Sequence, residues 1–382
     1  MPLIPPQLQV LLFFLPPFLS IILPFCIPVP KLHHINNDAI PSNSRIALLI
    51  AHPDDEAMFF SPTLLDLTSP ERGNIVDVLC LSDGNAAGLG PIRTNELHAS
   101  AGRLGVGVSD PVQPGETPTA EQLPIPNPRV TVVNDSVRFP DDMHTVWNAG
   151  DIADVLREKY ITATTNLNSR AEDVKESVGG AWGWLKGSKK GSDVDVEKGK
   201  NHHVLPATDI DYLITFDDRG VSSHPNHISL NHGAKEFIKQ LQRESGGEKS
   251  PPHVPRLYTL SSVNIFRKYT AMMDILTTRY LIGKQARSIA AAEKKSLGVE
   301  SFGTWLSNLP FILKAHATTK DGLELMEGDW LMFQNNVVRY RMARGAMTEA
   351  HKSQMVWFRH GWIALSRYMY VNDIRRVYVN EE

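Results

Sequence analysis

The stretch Arg45-Ile46-Ala47-Leu48-Leu49-Ile50-Ala51-His52-Pro53-Asp54-Asp55-Glu56 decides the fold of this chain. Its first six residues form an apolar run with the length and composition of a buried strand. The run ends abruptly in a histidine, a proline and three consecutive carboxylates. In open parallel α/β sheets, ligands bind outside the carboxyl ends of the strands, so this is where the chemistry is expected. A solvated acidic turn that happens to contain a histidine is the alternative interpretation.

The rest of the chain alternates strand and helix signals. This alternation predicts an α/β fold with a Rossmann-like, mostly parallel sheet flanked by helices. We expect further strands at residues 74–81, 129–133, 209–216 and 257–260, and helices at 57–67, 92–104, 147–160 and from about 227 to 241.

Composition divides the chain into three segments. Residues 1–30 form a hydrophobic N-terminal anchor, residues 44–262 form the core, and residues 263–382 form a C-terminal extension. Within the core, residues 166–203 are polar, rich in glycine and lysine and without clear period, which predicts a flexible insertion. The extension is rich in aromatic and basic residues. It either packs on the core in the ordinary way or presents a surface that dips into the bilayer interface.

The N-terminal segment is long enough to cross a bilayer, which takes roughly 20 helical residues. It carries no charged side chain. A cleaved signal peptide usually has a basic start and a small-residue cleavage site, and neither is clear here. A retained anchor is therefore favoured, although its prolines would kink the helix. Lys31 and Arg45, which follow it, favour a cytosolic location for the rest of the chain.

Charge and cysteine content exclude some classes of function. The chain has 382 residues, a net charge of −3 and a sequence pI of about 6.5, so nothing indicates a nucleic-acid partner. Its two cysteines, Cys26 and Cys80, are too few for a disulfide framework. This usage fits a catalytic portion that faces a reducing compartment.

A second motif, His224-Pro225-Asn226-His227, follows the strand predicted at 209–216. If both strands belong to one parallel sheet, both motifs emerge at the same edge. They then bring together His52, Asp55 and His227. Catalytic zinc commonly takes three such protein ligands and keeps a position for water. Other divalent ions accept the same donors, so zinc is a preference only. Most other histidines, such as His351, are interpreted as surface or satisfied residues.

Together the two motifs resemble the LmbE-like family of metal-dependent sugar de-N-acetylases. Residues 84–97, 216–224 and 353–369 are similar to the eukaryotic branch of that family, the N-acetylglucosaminyl-phosphatidylinositol de-N-acetylases. The resemblance runs from about residue 45 to 375, apart from the inserted loops. It implies deacetylation of that glycolipid, the second step of glycosylphosphatidylinositol (GPI)-anchor synthesis. It also implies a protein of the endoplasmic reticulum membrane with its catalytic side in the cytosol.

The resemblance also assigns roles to individual residues. His52, Asp55 and His227 become the ligands of a divalent metal, with zinc preferred. Asp54 becomes the general base, and His224 the electrostatic stabiliser or the general acid. Neighbouring carboxylates in a loop point in different directions, so Asp55 can face the metal while Asp54 reaches the attacking water.

Arg93, Asn85 and Asp142 are candidates for contacts with the substrate. The guanidinium of Arg93 suits phosphate geometry, but a pair with Glu96 one helical turn away is an equal alternative. Asp142 and its neighbour Asp141 either contact sugar hydroxyls or cap the next helix, and the cap is slightly favoured. The glycine-rich loop around Asn85 has the spacing G-x-x-x-G-x-G, which argues against a dinucleotide loop.

Two alternatives to the glycolipid enzyme stay open. The chain could deacetylate another N-acetyl sugar, or it could be a non-catalytic membrane scaffold with the same fold. A scaffold would be free to lose Asp54 or one of the metal ligands, and none of them is missing. The hydrophobic N-terminal segment argues against a soluble sugar as the substrate.

Overall fold

The computed structural model of the protein describes residues 41–108, 126–162, 207–244, 254–282, 284 and 329–379. The predicted anchor at residues 1–30 and the predicted insertion at residues 166–203 lie outside these ranges. No helix within the described residues is long and apolar enough to cross a membrane.

Seven strands form one sheet in the order β3-β2-β1-β6-β7-β9-β8, and β4 pairs with β5 separately. The first five strands of that order are parallel, whereas β9 is antiparallel to both of its neighbours. The α/β prediction is therefore confirmed, with a mixed sheet. The strands are β1 (Arg45–Ile50), β2 (Ile75–Cys80), β3 (Val130–Val132), β4 (Ile161–Thr162), β5 (Ala207–Thr208), β6 (Tyr212–Phe216), β7 (Arg256–Leu260), β8 (Trp330–Gln334) and β9 (Val371–Val377).

Helices connect the strands and pack on the sheet. The helices are α1 (Asp55–Met58), α2 (Ser61–Leu67), α3 (Gly90–Arg103), α4 (Ala149–Tyr160), α5 (Gly220–Ser223), α6 (Pro225–Glu244), α7 (Ile265–Lys268), α8 (Val337–Gly345) and α9 (Trp357–Leu365). Residues 274–282 are also helical. Helix α4 packs against α6, while α2 and α3 pack against α8.

Several predicted boundaries were wrong. The helix expected at 57–67 is two short helices, because the chain turns between α1 and α2, and Pro62 lies in the first turn of the second helix. The strand expected at 209–216 begins only at Tyr212. The two residues Ala207–Thr208, which precede the expected strand, pair with β4 instead. The helix expected from residue 147 begins at Ala149. Its N-cap is Asn148, whose side chain accepts hydrogen bonds from the amides of Gly150 and Asp151.

Strand β1 lies at the centre of the parallel part of the sheet. All its residues from Ile46 to Ile50 are at most 1% exposed. Its neighbour β6 runs in register, with Leu48 opposite Ile214, so the two strands end side by side. The hydroxyl of Thr215 also donates a 2.9 Å hydrogen bond to the carbonyl of Leu49. This register brings the loops after β1 and β6 together at one edge of the sheet.

The C-terminal residues extend the same sheet and contact the segment that follows the first motif. The Asn372 side chain on β9 accepts a 2.8 Å hydrogen bond from the Thr63 hydroxyl. Its amide donates to the carbonyl of Phe59 at 2.9 Å. On α8, Arg339 forms a 2.8 Å ion pair with Asp66 of α2. Strands β8 and β9 are thus tied to the helices that follow the first motif.

Arg367 forms a buried ion-pair network near the start of β9. Its guanidinium is fully buried and pairs with Asp373 at 2.7 Å and with Asp274 at 2.5 Å. It also donates a 2.9 Å hydrogen bond to Thr278. Asp274 accepts a second guanidinium, that of Arg267, at 2.7 Å. The network fixes the helical residues 274–282 to the C-terminal part of the sheet.

We expect Arg367→Met to lower the free energy of unfolding by about 3–5 kcal/mol, because it leaves buried carboxylates without their partner. Denaturant unfolding in detergent measures the change. As a control, Arg138→Met removes a half-exposed pair with Asp135 and should cost at most about 1 kcal/mol. Equal losses for the two variants would show that the buried network contributes no more than a surface pair.

Candidate active site

The two motifs meet at the carboxyl ends of β1 and β6. The residues from His52 to Glu56 follow β1 and form a buried loop that leads into α1. The residues after β6 pass through the kinked turn α5, where Gly220, Val221 and Ser223 have positive φ, and then enter α6 at Pro225. The kink places the first turn of α6, and with it His227, beside the loop after β1.

His52, Asp55 and His227 are brought together as the sequence predicted. Each offers one donor atom, and these three atoms lie within 4.8 Å of one another. All three residues are buried. Two imidazoles and one carboxylate form a donor set that divalent metals such as zinc accept.

Asp55 is held as a carboxylate that faces both histidines. Its Oδ2 accepts hydrogen bonds of 3.0 Å from the backbone amides of Ala51 and His52. Its Oδ1 lies 3.3 Å from Nε2 of His227. Burial alone would raise the pKa of Asp55, but the positive charge that His227 carries when protonated outweighs burial. The pKa therefore lies well below its usual range.

One ring nitrogen of His227 is hydrogen-bonded to the backbone, and the other faces Asp55. Its Nδ1 donates a 3.1 Å hydrogen bond to the carbonyl of Gly220. Phe216 stacks on the imidazole with the ring centroids 4.0 Å apart. Its Nε2 is buried without a hydrogen-bond partner among the described residues and faces Asp55. A buried nitrogen lone pair held beside a carboxylate fits a metal ligand.

His52 is oriented by the second motif. Nε2 of His52 lies 3.1 Å from the side-chain amide of Asn226. The oxygen and the nitrogen of this amide both find hydrogen-bond partners when the oxygen faces His52. The Asn226 nitrogen then donates to the carbonyls of Thr145 at 2.8 Å and Asp142 at 3.2 Å. This bond turns Nδ1 of His52 toward Asp55. Burial lowers the pKa of His52, against the charge of Asp55, which raises it.

His224 lies beside the two other histidines and is only half-buried. Its ring centroid is 5.0 Å from that of His52 and 4.8 Å from that of His227. Its Nδ1 accepts a 3.2 Å hydrogen bond from the backbone amide of Asn226, so the proton sits on Nε2. Burial, together with repulsion by the two other imidazoles, lowers the pKa of His224 to about 4.

Comparison with known proteins agrees with this geometry. The PIG-L family model, described as GlcNAc-PI de-N-acetylase, matches residues 47–238. The chain is 35% identical over 358 residues to the N-acetylglucosaminyl-phosphatidylinositol de-N-acetylase of Arthroderma benhamiae, covering 88% of each protein. The chain belongs to the GlcNAc-PI de-N-acetylase family.

More distant relatives carry the same name. The Saccharomyces cerevisiae protein of that name is 29% identical over 333 residues, which cover 86% of this chain and 80% of the relative. Among solved structures, a deacetylase triple mutant of the teicoplanin biosynthetic pathway matches with a TM-score of 0.41 and 11% identity. That match covers 89% of this chain and 100% of that one. The family relation makes the chain a de-N-acetylase.

Asp54 has an unusual backbone conformation in this de-N-acetylase. Its φ of 127° lies in the region that residues other than glycine rarely adopt. Its backbone amide donates a 3.1 Å hydrogen bond to Oε2 of Glu56. Its carbonyl accepts from the amide of Met58 at 2.9 Å. These bonds stabilise a conformation that turns the Asp54 side chain away from that of Asp55.

Two arginines from distant parts of the chain contact the Asp54 carboxylate. Arg359 on α9 pairs with its Oδ2 at 2.8 Å. Arg93 on α3 lies 3.5 Å from the same oxygen. Arg93 also donates 2.8 Å hydrogen bonds to the carbonyls of Gly84 and Pro53. The two guanidiniums hold the buried Asp54 carboxylate in one orientation.

Glu56 is compensated by a histidine from the C-terminal part of the chain. Its Oε1 lies 2.6 Å from Nε2 of His351 and accepts a 2.5 Å hydrogen bond from the Ser100 hydroxyl. Glu56, Ser100 and His351 are all fully buried. Burial alone would lower the pKa of His351, but the charge of Glu56 raises it. The Glu56–His351 pair thereby helps to fix the Asp54 backbone, because Oε2 of Glu56 accepts the hydrogen bond from the Asp54 amide.

The three candidates for substrate contacts have different surroundings. Arg93 is buried against the first motif, whereas Glu96, its alternative partner, accepts hydrogen bonds from Ser353. The Asn85 side chain accepts a 2.9 Å bond from the amide of Gly90 and so closes its own loop. Asp142 accepts bonds from the His144 amide and the Thr145 hydroxyl in an exposed turn.

Sequence reasoning missed three residues at the site. Arg359 and His351 come from the C-terminal third, and their partners Asp54 and Glu56 are about 300 positions away. The third is Asp141, whose Oδ1 lies 3.3 Å from Nε2 of His52. One feature of the sequence could have indicated these residues. Three adjacent carboxylates at the end of a buried strand need basic partners from other parts of the chain.

Gly220 allows a test of how tightly His227 is placed. Gly220 has a φ of +57°, and an added Cβ would lie 2.8 Å from Cβ of His227. Gly88 has a similar φ of +74°, but an added Cβ would meet nothing within 4 Å. Both alanine variants share the left-handed backbone cost of about 1–2 kcal/mol. We expect Gly220→Ala to lose clearly more unfolding free energy than Gly88→Ala in denaturant titrations. Equal losses would show that the site tolerates movement of His227.

Proposed function

We propose that this chain hydrolyses the N-acetyl group of N-acetylglucosaminyl-phosphatidylinositol, giving glucosaminyl-phosphatidylinositol and acetate. This reaction is the second step of GPI-anchor biosynthesis. The observation that carries the proposal is the buried set His52, Asp55 and His227 with the ion-paired Asp54 directly beside it. The names of the curated relatives support the substrate.

His52, Asp55 and His227 would hold a divalent metal. The fit rests on the donor set and on Nε2 of His227, which is buried without a hydrogen-bond partner among the described residues. Zinc is preferred because two imidazoles and a carboxylate are a common catalytic zinc set. When bound, such an ion acts as a Lewis acid and lowers the pKa of a coordinated water from 15.7 to roughly 7.

Asp54 is the general base in this proposal. Its contacts with Arg359 and Arg93 are made by Oδ2. In this proposal Oδ1 is the oxygen that accepts the proton of the attacking water. The carboxylate takes the proton of that water as the new C–O bond forms at the acetamide carbonyl. It then passes the proton to the amine nitrogen as the C–N bond breaks. Acetate and the free amino sugar result.

His224 stabilises the oxyanion that forms on the acetamide oxygen. Because its Nδ1 accepts the amide hydrogen of Asn226, its Nε2–H is the donor that is left. A fixed N–H donor aimed at the developing charge lowers the barrier without needing to change its own protonation state. Between the two roles that the sequence left open, this tautomer favours electrostatic stabilisation over general acid catalysis.

The cellular setting follows from the substrate and from the N-terminal segment. We place the protein at the endoplasmic reticulum membrane, with residues 1–30 as its anchor and the de-N-acetylase site on the cytosolic side. The absence of charged residues from that segment supports the anchor, and Lys31 and Arg45 beyond it support the orientation.

Detergent-solubilised protein should convert N-acetylglucosaminyl-phosphatidylinositol into the free amino lipid, measured by mass spectrometry. Asp54→Asn should lower kcat by about 10²–10⁴-fold, since the amide cannot accept the proton. Asp135→Asn, in a half-exposed turn where the carboxylate pairs with Arg138, is the matched control and should keep the parent rate. Folded parent protein that turns over no glycolipid with divalent metal present would favour another N-acetyl sugar or a scaffold role.

Removal of the metal should abolish turnover. Treatment with a chelator is expected to stop deacetylation, and added zinc or another divalent ion should restore it. Elemental analysis of the purified protein should find a bound divalent metal that His227→Ala loses, because that variant removes one donor. His232→Ala, an exposed position on the same helix, should keep it. Full activity of metal-free protein would contradict the assignment.

A further inference from the structure

Helix α9 is strongly apolar yet lies on the surface. Of its nine residues, WFRHGWIAL, only Ile363 is buried. Trp357 is 86% exposed and Phe358 is 56% exposed. Consecutive exposed aromatic residues of this size are typical of a surface that meets another apolar phase or partner.

Helix α7 adds to the same surface. None of its residues is buried, and Ile265 and Phe266 are 66% and 82% exposed. The two helices meet at Trp362 of α9: the Tyr269 ring lies 5.8 Å from its ring centroid, and Nζ of Lys268 lies 5.0 Å from it. We call the exposed apolar residues of this region the α7–α9 surface. It consists of Ile265, Phe266, Tyr269, Val356, Trp357 and Phe358.

Lysine side chains accompany this surface. Residues 260–273 and 350–372 contain Lys268 and Lys352. The three arginines in these ranges are instead paired with carboxylates within the protein: Arg267 with Asp274, Arg359 with Asp54 and Arg367 with Asp373. Exposed tryptophan and phenylalanine next to basic side chains are the composition of a face that lies in the interface of a bilayer. Basic residues there are attracted by anionic headgroups.

The surface is continuous with the de-N-acetylase site. Trp362 packs against Phe59 with ring centroids 5.5 Å apart, and Phe59 lies 5.7 Å from the ring of His227. Arg359, on the same helix as Trp357, forms the 2.8 Å ion pair with Asp54. Trp362 with Phe59, and Arg359 with Asp54, therefore connect the helix that carries the exposed aromatic residues to the site.

We propose that the α7–α9 surface docks into the interface of a bilayer containing anionic phospholipid and holds the site against the lipid that carries the substrate. The inference rests on the proposed function, because a glycolipid headgroup stays at the bilayer surface while its acetamide must reach the buried donors. The surface would hold the site at that depth, and Arg359 would transmit the position of α9 to the base.

Quenching of tryptophan fluorescence tests the docking without any activity measurement. The full chain is reconstituted into phosphatidylcholine–phosphatidylinositol vesicles whose acyl chains carry bromine. Trp357→Phe keeps the apolar surface and is expected to reduce the fraction of fluorescence that bromine quenches. Residues 1–40 contain no tryptophan, so an inserted N-terminal segment adds no signal. A quenched fraction equal to that of the parent would overturn the proposal and would assign the surface to a protein partner.

Activity on two forms of the substrate separates this inference from the proposed function. Trp357→Ser with Phe358→Ser should raise KM for the vesicle-borne glycolipid about tenfold, as expected for the loss of a buried aromatic contact. It should leave turnover of a water-soluble analogue without acyl chains unchanged. Trp357→Leu with Phe358→Leu should restore the parent KM. No turnover of either form by the parent would refute the proposed function, whereas equal KM values in all variants would refute only the docking surface.

Discussion

The compensation of three consecutive buried carboxylates is the constraint on which the rest of the structure depends. Asp54, Asp55 and Glu56 follow the central strand and are at most 5% exposed. An uncompensated buried charge costs several kcal/mol, so each carboxylate needs its own cation or donors. The partners are Arg359 and Arg93 for Asp54, His52 and His227 for Asp55, and His351 and Ser100 for Glu56. They come from five separate parts of the chain, which must all be in place before the site exists.

In this arrangement the adjacent residues Asp54 and Asp55 face different partners. Asp55 turns toward the imidazoles, whereas the positive φ of Asp54 turns its carboxylate toward two guanidiniums. The Glu56–His351 pair supports the strained backbone between them through the Asp54 amide. In the proposed mechanism this one loop therefore supplies a metal donor, a base and the residue that supports the base. Arg359 links this loop to α9, so the guanidinium that pairs with Asp54 and the exposed aromatic residues share one helix.

The sequence predicted the parts of the fold that depend on local pattern. An apolar run that ends in charges indicates a central strand, and parallel topology then brings the strand ends together, which placed His52, Asp55 and His227 correctly. The partners of Asp54 and Glu56 could not be predicted, because Arg359 and His351 are selected by tertiary packing across about 300 positions. Asp141 rather than Asp142 reaches His52 because of the path of one turn, which residue propensities do not encode.

Anomalous diffraction at a metal absorption edge tests the central claim most directly. Crystals of the protein purified with its metal should show one strong peak between the side chains of His52, Asp55 and His227, with Asp54 outside the coordination shell and still paired with Arg359. That result would show that the residues that compensate the carboxylates of the first motif also form the metal site. A peak at other residues, or a stoichiometrically bound metal that takes Asp54 as a ligand, would contradict the account.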